Sequence, residues 1–289
     1  MDARAADSAL AFRMPAESRL AGLTLRVRDL GLVESFYSTL LGLRVTERRD
    51  DGISLAPAQA RFSVHLLSDP GAPVRPRPSL GLYHFALLLP DRPSLAAVVR
   101  RLLERRWALE GASDHGVSEA LYLHDPEGNG IELYRDRPRE TWPVEQGQVA
   151  MTTSPLDVDD LLAAAPAGAP LHPEARLGHI HLHVGDLGEG ERFYASTLGL
   201  TVTQRTYAGA LFLSAGGYHH HVGLNTWARG RRAPDGATGL TRYAWALPAG
   251  SKAPLEAHLR AVKAAYLETD GAVALVDPVG IQVEIRGTT

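Results

Sequence analysis

Two stretches of this chain are copies of one another. Residues 23–30 read LTLRVRDL and residues 180–187 read IHLHVGDL. Both continue through Phe-Tyr, at Phe36-Tyr37 and Phe193-Tyr194, to Leu-Gly-Leu at 41–43 and 198–200. Asp29 and Asp186, Phe36 and Phe193, and Gly42 and Gly199 are all 157 positions apart, so internal repetition governs every later reading. The alternation of Leu23, Leu25 and Val27, and of Ile180, Leu182 and Val184, predicts half-buried strands. Asp29 and Asp186 stand where a helix N-cap is wanted, and Val33, Phe36, Tyr37 and Leu40 follow helical spacing. Gly42 and Gly199 suit the left-handed position that ends such a helix.

A second repeat lies inside each half. Residues 81–90 (GLYHFALLLP) align without gaps on 239–248 (GLTRYAWALP), and 125–132 (DPEGNGIE) align on 277–284 (DPVGIQVE). Helical stretches over 95–105 and 255–265 separate these landmarks. Four strand–helix–strands units follow, at 20–70, 80–137, 177–227 and 239–287. The boundaries are a tail over 1–19, a first domain of units one and two over 20–137, a linker over 138–176, and a second domain of units three and four over 177–289. The linker pattern predicts a short helix over 158–164 that packs Leu161 and Leu162 onto a domain. One short βαβββ unit cannot bury its own apolar face, so the units must pair. The expected fold is α+β, with four βαβββ modules paired into two curved-sheet half-barrels.

Composition narrows the chemistry. Of 289 residues, 45% are hydrophobic and 22% charged, ample for a packed core. There is no cysteine, so disulfides, thiolate metal sites and a cysteine nucleophile are excluded, and metal ligands must come from His, Asp or Glu. A net charge of −3 leaves no electrostatic footprint for nucleic acid or an anionic membrane. No apolar run reaches the length of a signal peptide or a membrane span, so a cytoplasmic location is the expectation. A homo-oligomer is left open.

The chemical content emerges when the four first strands are compared at one position. Unit three has His179 there, unit one Gly22, unit two His84 and unit four Arg242. On the last strand, unit two has Glu132 and unit four Glu284. Alternation with Ile131 and Leu133 points Glu132 away from the apolar face, and His84 alternates likewise with Tyr83 and Phe85. Two imidazoles and one carboxylate on strands, with coordination positions left open, are the set expected for non-haem Fe(II). A structural zinc would need a fourth protein ligand.

These units resemble the vicinal oxygen chelate superfamily, which includes glyoxalase I, extradiol ring-cleaving dioxygenases and antibiotic-resistance proteins. The resemblance covers nearly all of 20–287. Within it, residues 81–90, 113–132, Arg137-Pro138-Arg139 and 214–227 (SAGGYHHHVGLNTW) look like bacterial catechol-2,3-dioxygenase proteins. The resemblance implies extradiol cleavage of a small catechol-type aromatic by dioxygen, with His84, Glu132 and His179 as ligands of Fe(II). Mn(II), Ni(II) or Zn(II) remain alternatives. It implies that Tyr122 hydrogen-bonds the substrate and that His220 is the acid–base catalyst. Strand alternation leaves open which of His219, His220 and His221 faces the metal, and His115 either lines the pocket or is a solvated loop residue. In such dioxygenases the ligands usually come from units three and four. Here unit four offers Arg242, so a full triad requires units two and three to share a barrel, leaving Gly22, Arg242 and Glu284 as a degenerate copy. The alternatives are a glyoxalase-type isomerase or lyase, and a binding protein of the bleomycin-resistance kind.

Overall fold

The computed structural model describes residues 12–166, 168–269 and 271–288; residues 1–11, and with them most of the expected tail, lie outside the described residues. Each unit is a strand, a helix and three further strands. Unit one comprises β1 (Arg19–Val27), α1 (Leu30–Ser35), β2 (Arg44–Arg49), β3 (Gly52–Ala56) and β4 (Ser63–Ser68). Unit two comprises β5 (Gly81–Leu88), α2 (Arg92–Glu104), β6 (Leu109–Asp114), β7 (Ser118–His124) and β8 (Gly130–Asp136). The linker forms a small hairpin of β9 (Val144–Glu145) and β10 (Gln148–Val149), then β11 (Ser154–Pro155) and α3 (Val158–Ala163). Unit three comprises β12 (Arg176–His183), α4 (Leu187–Glu191), β13 (Thr201–Gln204), β14 (Ala210–Ser214) and β15 (Val222–Asn225). Unit four comprises β16 (Gly239–Leu247), α5 (Lys252–Ala261), β17 (Leu267–Thr269), β18 (Ala272–Val276) and β19 (Gln282–Gly287).

The expected caps form. Asp29 Oδ1 accepts the Leu32 N–H at 2.9 Å, Asp186 Oδ1 accepts the Glu189 N–H at 2.8 Å, and Gly42 and Gly199 close the helical segments at φ of +85° and +78°. Both helices widen in their last turn, where Leu41 N–H reaches back to Phe36 C=O and Leu198 N–H to Phe193 C=O, five residues away. The repeated tyrosines act as ties: Tyr37 Oη donates to Asp125 Oδ2 at 3.1 Å and Tyr194 Oη to Asp277 Oδ2 at 2.8 Å, all four residues being buried.

The sheets do not follow the halves of the sequence. One runs β17-β18-β19-β16-β1-β4-β3-β2 and joins units four and one; the other runs β11-β6-β7-β8-β5-β12-β15-β14-β13 and joins units two and three. Each seam is an antiparallel pair of first strands, β16 with β1 and β5 with β12. The Tyr–Asp ties therefore cross from sheet to sheet within each half. One cluster of buried apolar side chains underlies both sheets, taking in Leu25 and Val64 of unit one, Phe85 and Leu133 of unit two, Ile180 and Leu224 of unit three, and Trp245 and Ile285 of unit four. The linker helix α3 buries Leu161 in this core and leaves Leu162 partly exposed. Among the described residues no helix is long and apolar enough to cross a membrane.

Candidate functional site

Three adjacent strands at the β5–β12 seam build the site. The register sets Ala86 of β5 opposite both Glu132 of β8 and His179 of β12, with His84 opposite His181. On β12, Ile180 and Leu182 enter the core while His179, His181 and His183 share the other face, as period-2 alternation requires. On β5 the alternation expected from the sequence fails. A bulge between Leu82 and His84 leaves Leu82 and Phe85 both in the core and turns Tyr83 and His84 together toward the cavity.

The three predicted ligand groups converge. His84 Nε2 lies 3.3 Å from His179 Nε2, and Glu132 Oε2 lies 3.0 Å from the first and 3.1 Å from the second. With metal–ligand bonds of about 2.1 Å, neighbouring donor atoms stand about 3.0 Å apart in an octahedron and about 3.4 Å in a tetrahedron. The observed triangle thus fits one face of such a polyhedron. All three residues are buried. Burial alone would raise the Glu132 carboxyl, but His179 and His84 offset it and hold the group well below the usual carboxylate range. Burial lowers His179 to about 4 against the pull of Glu132, so at neutral pH His179 offers a lone pair and no charge. Its Nδ1 has no hydrogen-bond partner among the described residues; the ring is held instead against Tyr134 and His220, with centroids 5.0 and 4.1 Å away. Gly178 permits this packing, since a Cβ there would fall 1.9 Å from Tyr134 Oη.

Two hydrogen-bonded chains approach from opposite sides. His115 Nδ1 lies 2.7 Å from the Thr152 carbonyl and so carries the proton, which leaves Nε2 to accept from Tyr122 Oη at 2.6 Å. Burial, then Glu132, raises the Tyr122 hydroxyl well above its ordinary value, and it stays protonated. On the other side Asp136 Oδ1 accepts from His219 Nε2 at 3.0 Å, and His219 Nδ1 meets His220 Nδ1 at 2.8 Å. Because the carboxylate is an acceptor, His219 carries its proton on Nε2, His220 donates from Nδ1, and His220 Nε2 is left with its lone pair. Burial, then His179 and His219, pushes His220 well below the ordinary imidazole value.

The triplet His219, His220 and His221 is not in a strand, as alternation assumed. It forms the turn leading into β15, so neighbours need not take opposite faces: His219 bonds Asp136, His220 lines the cavity, and His221 packs on Trp245. His220 is thus the one of the three that the cavity includes.

The cavity measures about 290 Å³. Side chains from β5, β6, β7, β8, β12 and β14 line it together, so the sheet curls around the site. Tyr122 and His115 are both in the wall. So are residues that sequence reasoning did not single out, including Met151 and Thr153 of the linker and the aromatic residues Tyr83, Tyr207, Phe212 and Trp227.

A family model described as the Glyoxalase/Bleomycin resistance protein/Dioxygenase superfamily matches residues 19–133 and 176–284. The chain belongs to this superfamily. It is 44% identical over 88% of its length to a catechol-2,3-dioxygenase of Bacillus subtilis, covering 92% of that protein. It is 28% identical over 57% of its length to biphenyl-2,3-diol 1,2-dioxygenase 3 of Rhodococcus globerulus, covering 89% of it. Maize glyoxalase I has the same fold, with a TM-score of 0.56 at 17% identity over 93% of this chain and 92% of the other.

Within this superfamily member the sheet of units four and one keeps the framework of the site and its carboxylate but neither imidazole. Gly22 and Glu284 lie opposite Ala244, and Arg242 stands two residues before it, reproducing the positions of His179, Glu132 and His84. The Glu284 carboxylate is engaged by Arg242 at 3.4 Å and by Arg286. A guanidinium charge stands where the other sheet gathers two imidazoles.

Proposed function

We propose that the protein is a metal-dependent extradiol dioxygenase that opens a catechol-type aromatic ring beside its diol, using dioxygen, in the breakdown of aromatic compounds. The observation that carries this reading is the face of three donor atoms, two imidazole nitrogens and one carboxylate oxygen with edges of 3.0–3.3 Å, two of whose residues, His84 and Glu132, line a cavity with several aromatic walls. The 44% identity to a catechol-2,3-dioxygenase supports the same chemistry. His84, Glu132 and His179 hold the metal, and Fe(II) suits the set best; Mn(II), Ni(II) and Zn(II) are the alternatives. Bound there, the ion supplies a Lewis acid and a template with positions open to a chelating diol and dioxygen.

The chain's own groups do the rest. His220 Nε2 takes a proton from the catechol hydroxyl and returns it during ring opening, while Nδ1 stays bonded to His219 and through it to Asp136. The depressed basicity of a buried imidazole keeps Nε2 free of a proton until substrate arrives. Tyr122, whose hydrogen is committed to His115, presents its oxygen lone pairs to the second substrate hydroxyl. The buried walls exclude water from the reacting ring.

The test is anaerobic reconstitution with Fe(II), followed by catechol and oxygen. Stoichiometric oxygen uptake with a yellow ring-opened product is expected. Absence of uptake across a catechol panel, with turnover of a thiol hemithioacetal, would replace this reading with a glyoxalase-type isomerase. That alternative calls for a fourth protein ligand, and among the described residues no fourth carboxylate or imidazole joins the cluster.

A further inference from the structure

We infer that His181 is a further catalytic residue, whose Nδ1–H donates a hydrogen bond to the oxygen that gains negative charge in the cavity, and that Asn225 positions it by fixing that proton. The inference rests on the ring-cleaving reading above and adds two residues to its machinery.

The proton is placed by a short chain of contacts. The Trp227 backbone N–H, which can only donate, meets Asn225 Oδ1 at 3.1 Å. This fixes the orientation of the amide, so the atom 3.0 Å from His181 Nε2 is the Asn225 nitrogen, Nδ2. His183 Nδ1 donates to the same Oδ1. An amide nitrogen has hydrogens to give and no lone pair to offer, so His181 Nε2 accepts and the proton of the ring is on Nδ1. Asn225 of β15 stands opposite His183 of β12 and therefore draws Nε2 along the strand in that direction. The two nitrogens of an imidazole point away from one another, so Nδ1–H faces back towards His179 and the cavity that His181 lines. Among the described residues His181 hydrogen-bonds Asn225 alone. Its ring occupies the space over Gly223, where a Cβ would fall 2.8 Å from Cγ and 3.0 Å from Nδ1.

Three imidazoles line the cavity outside the donor triangle, and they differ in polarity. His115 is committed to Thr152 and Tyr122, His220 presents a lone pair, and His181 presents a proton. The His181 ring lies 5.0 Å from that of His84, beside the face where the diol and dioxygen meet. Ring cleavage passes electrons from the diol to dioxygen, and both oxygen atoms enter the product, so no other reductant is needed. Negative charge collects on oxygen on the way, on the deprotonated diol and on dioxygen as it takes up electrons. A fixed, neutral N–H stabilises such an oxygen, and with Nε2 tied to the amide it does not compete with His220 for the substrate proton.

The experiment uses the full chain and three readouts. In the Zn(II)-loaded protein, 15N NMR should show His181 protonated on Nδ1 and bare on Nε2, and Asn225→Ala should populate the other tautomer. In the Fe(II)-loaded protein, His181→Leu should keep its iron and lose kcat/KM for oxygen by about 10²-fold. Asn225→Ala and Gly223→Ala, which keep the ring but free or displace it, should lower kcat about tenfold with little change in KM for catechol. Anaerobic binding of 4-nitrocatechol, whose visible absorption reports its ionisation, separates the two acceptors. Unchanged affinity and spectrum in His181→Leu assign the hydrogen bond to dioxygen; an affinity about tenfold weaker, with absorption shifted towards the protonated form, assigns it to the diol. A proton on Nε2 in the unaltered protein, or a His181→Leu protein within about threefold of it in every measurement, would overturn the inference. The expected tautomer and a shifted nitrocatechol spectrum, without oxygen uptake by the unaltered protein, would keep His181 as a donor to the diol and sink the dioxygenase reading.

Discussion

The two Tyr–Asp ties make a quantitative comparison within one molecule. Tyr194 Oη donates to Asp277 Oδ2 and accepts from Tyr243 Oη at 2.9 Å, so Tyr194→Phe strips a partner from two buried groups. At about 1–3 kcal/mol per orphaned group, the loss is about 2–6 kcal/mol. Tyr37→Phe removes a single bond, and Asp125 Oδ2 keeps Asn129 Nδ2 at 2.8 Å, so about 1 kcal/mol is expected. The Tyr194 loss should also depend on pH. Burial raises Asp277 to about 6 from 3.8, and the Tyr194 hydroxyl is among the groups that pull it back down. Between these values the native state binds more protons than the unfolded chain, so this group's contribution to stability falls as pH rises from 3.8 to 6. Removing Tyr194 raises the native value further and extends the fall upward. The destabilisation should therefore be larger at pH 8, where the ionised carboxylate loses a donor, than at pH 5. Urea unfolding of both variants at the two pH values measures this. Equal losses at pH 5 and pH 8, or a Tyr194→Phe no worse than Tyr37→Phe, would refute the account.

Glu132→Ala should lose iron, because two neutral imidazoles cannot offset a divalent charge; iron stoichiometry after gel filtration reads this directly. His220→Ala should keep iron and lose kcat by a factor on the order of 10² to 10⁴. Asp136→Asn should also keep iron and lower kcat with little change in KM for catechol, since the amide no longer fixes the proton on His219 Nε2; a larger effect on KM than on kcat would count against a positioning role. Arg242→Ala should leave iron content and oxygen uptake nearly unchanged, and iron loss there would mean that the second sheet binds the metal.

The four-unit plan was legible because duplication leaves fixed offsets, and the clustering of His84, Glu132 and His179 was legible because equivalent positions can be compared across copies. Asp29, Asp186, Gly42 and Gly199 were readable for a local reason, as caps depend on neighbours in sequence. What escaped was set by breaks in regularity or by distant contacts. The bulge that brings Tyr83 beside His84 adds a residue to one face, and strict alternation misassigns it. The histidine triplet misled in the same way, because a turn does not alternate. Met151 and Thr153 were hidden because the linker, which has no counterpart in the repeat, folds back over the cavity and adds β11 to the edge beside β6. His181 carried a readable signal: it shares a face with His179 by simple alternation, and Gly223 makes room for its ring, 2.8 Å from where a Cβ would sit.

The interleaving of the sheets fixes an order of assembly. His84 and His179 are 95 positions apart, and Thr24 and Arg242, across the other seam, are 218 apart. A chain emerging from the ribosome thus holds β1 and β5 as open edges until the second half arrives, and open edges invite pairing with the wrong chain. The first half alone holds His84 and Glu132 of the three-donor cluster but not His179. The sheet with the donor face is complete once β15 is made, ending at Asn225, and it closes the shorter loop. Unit four, which contributes no residue to the His84–Glu132–His179 cluster, is synthesised last and relieves the edge of β1. Its strand pairing, along β16 and β19, therefore matters to the fold whether or not position 242 can hold an ion.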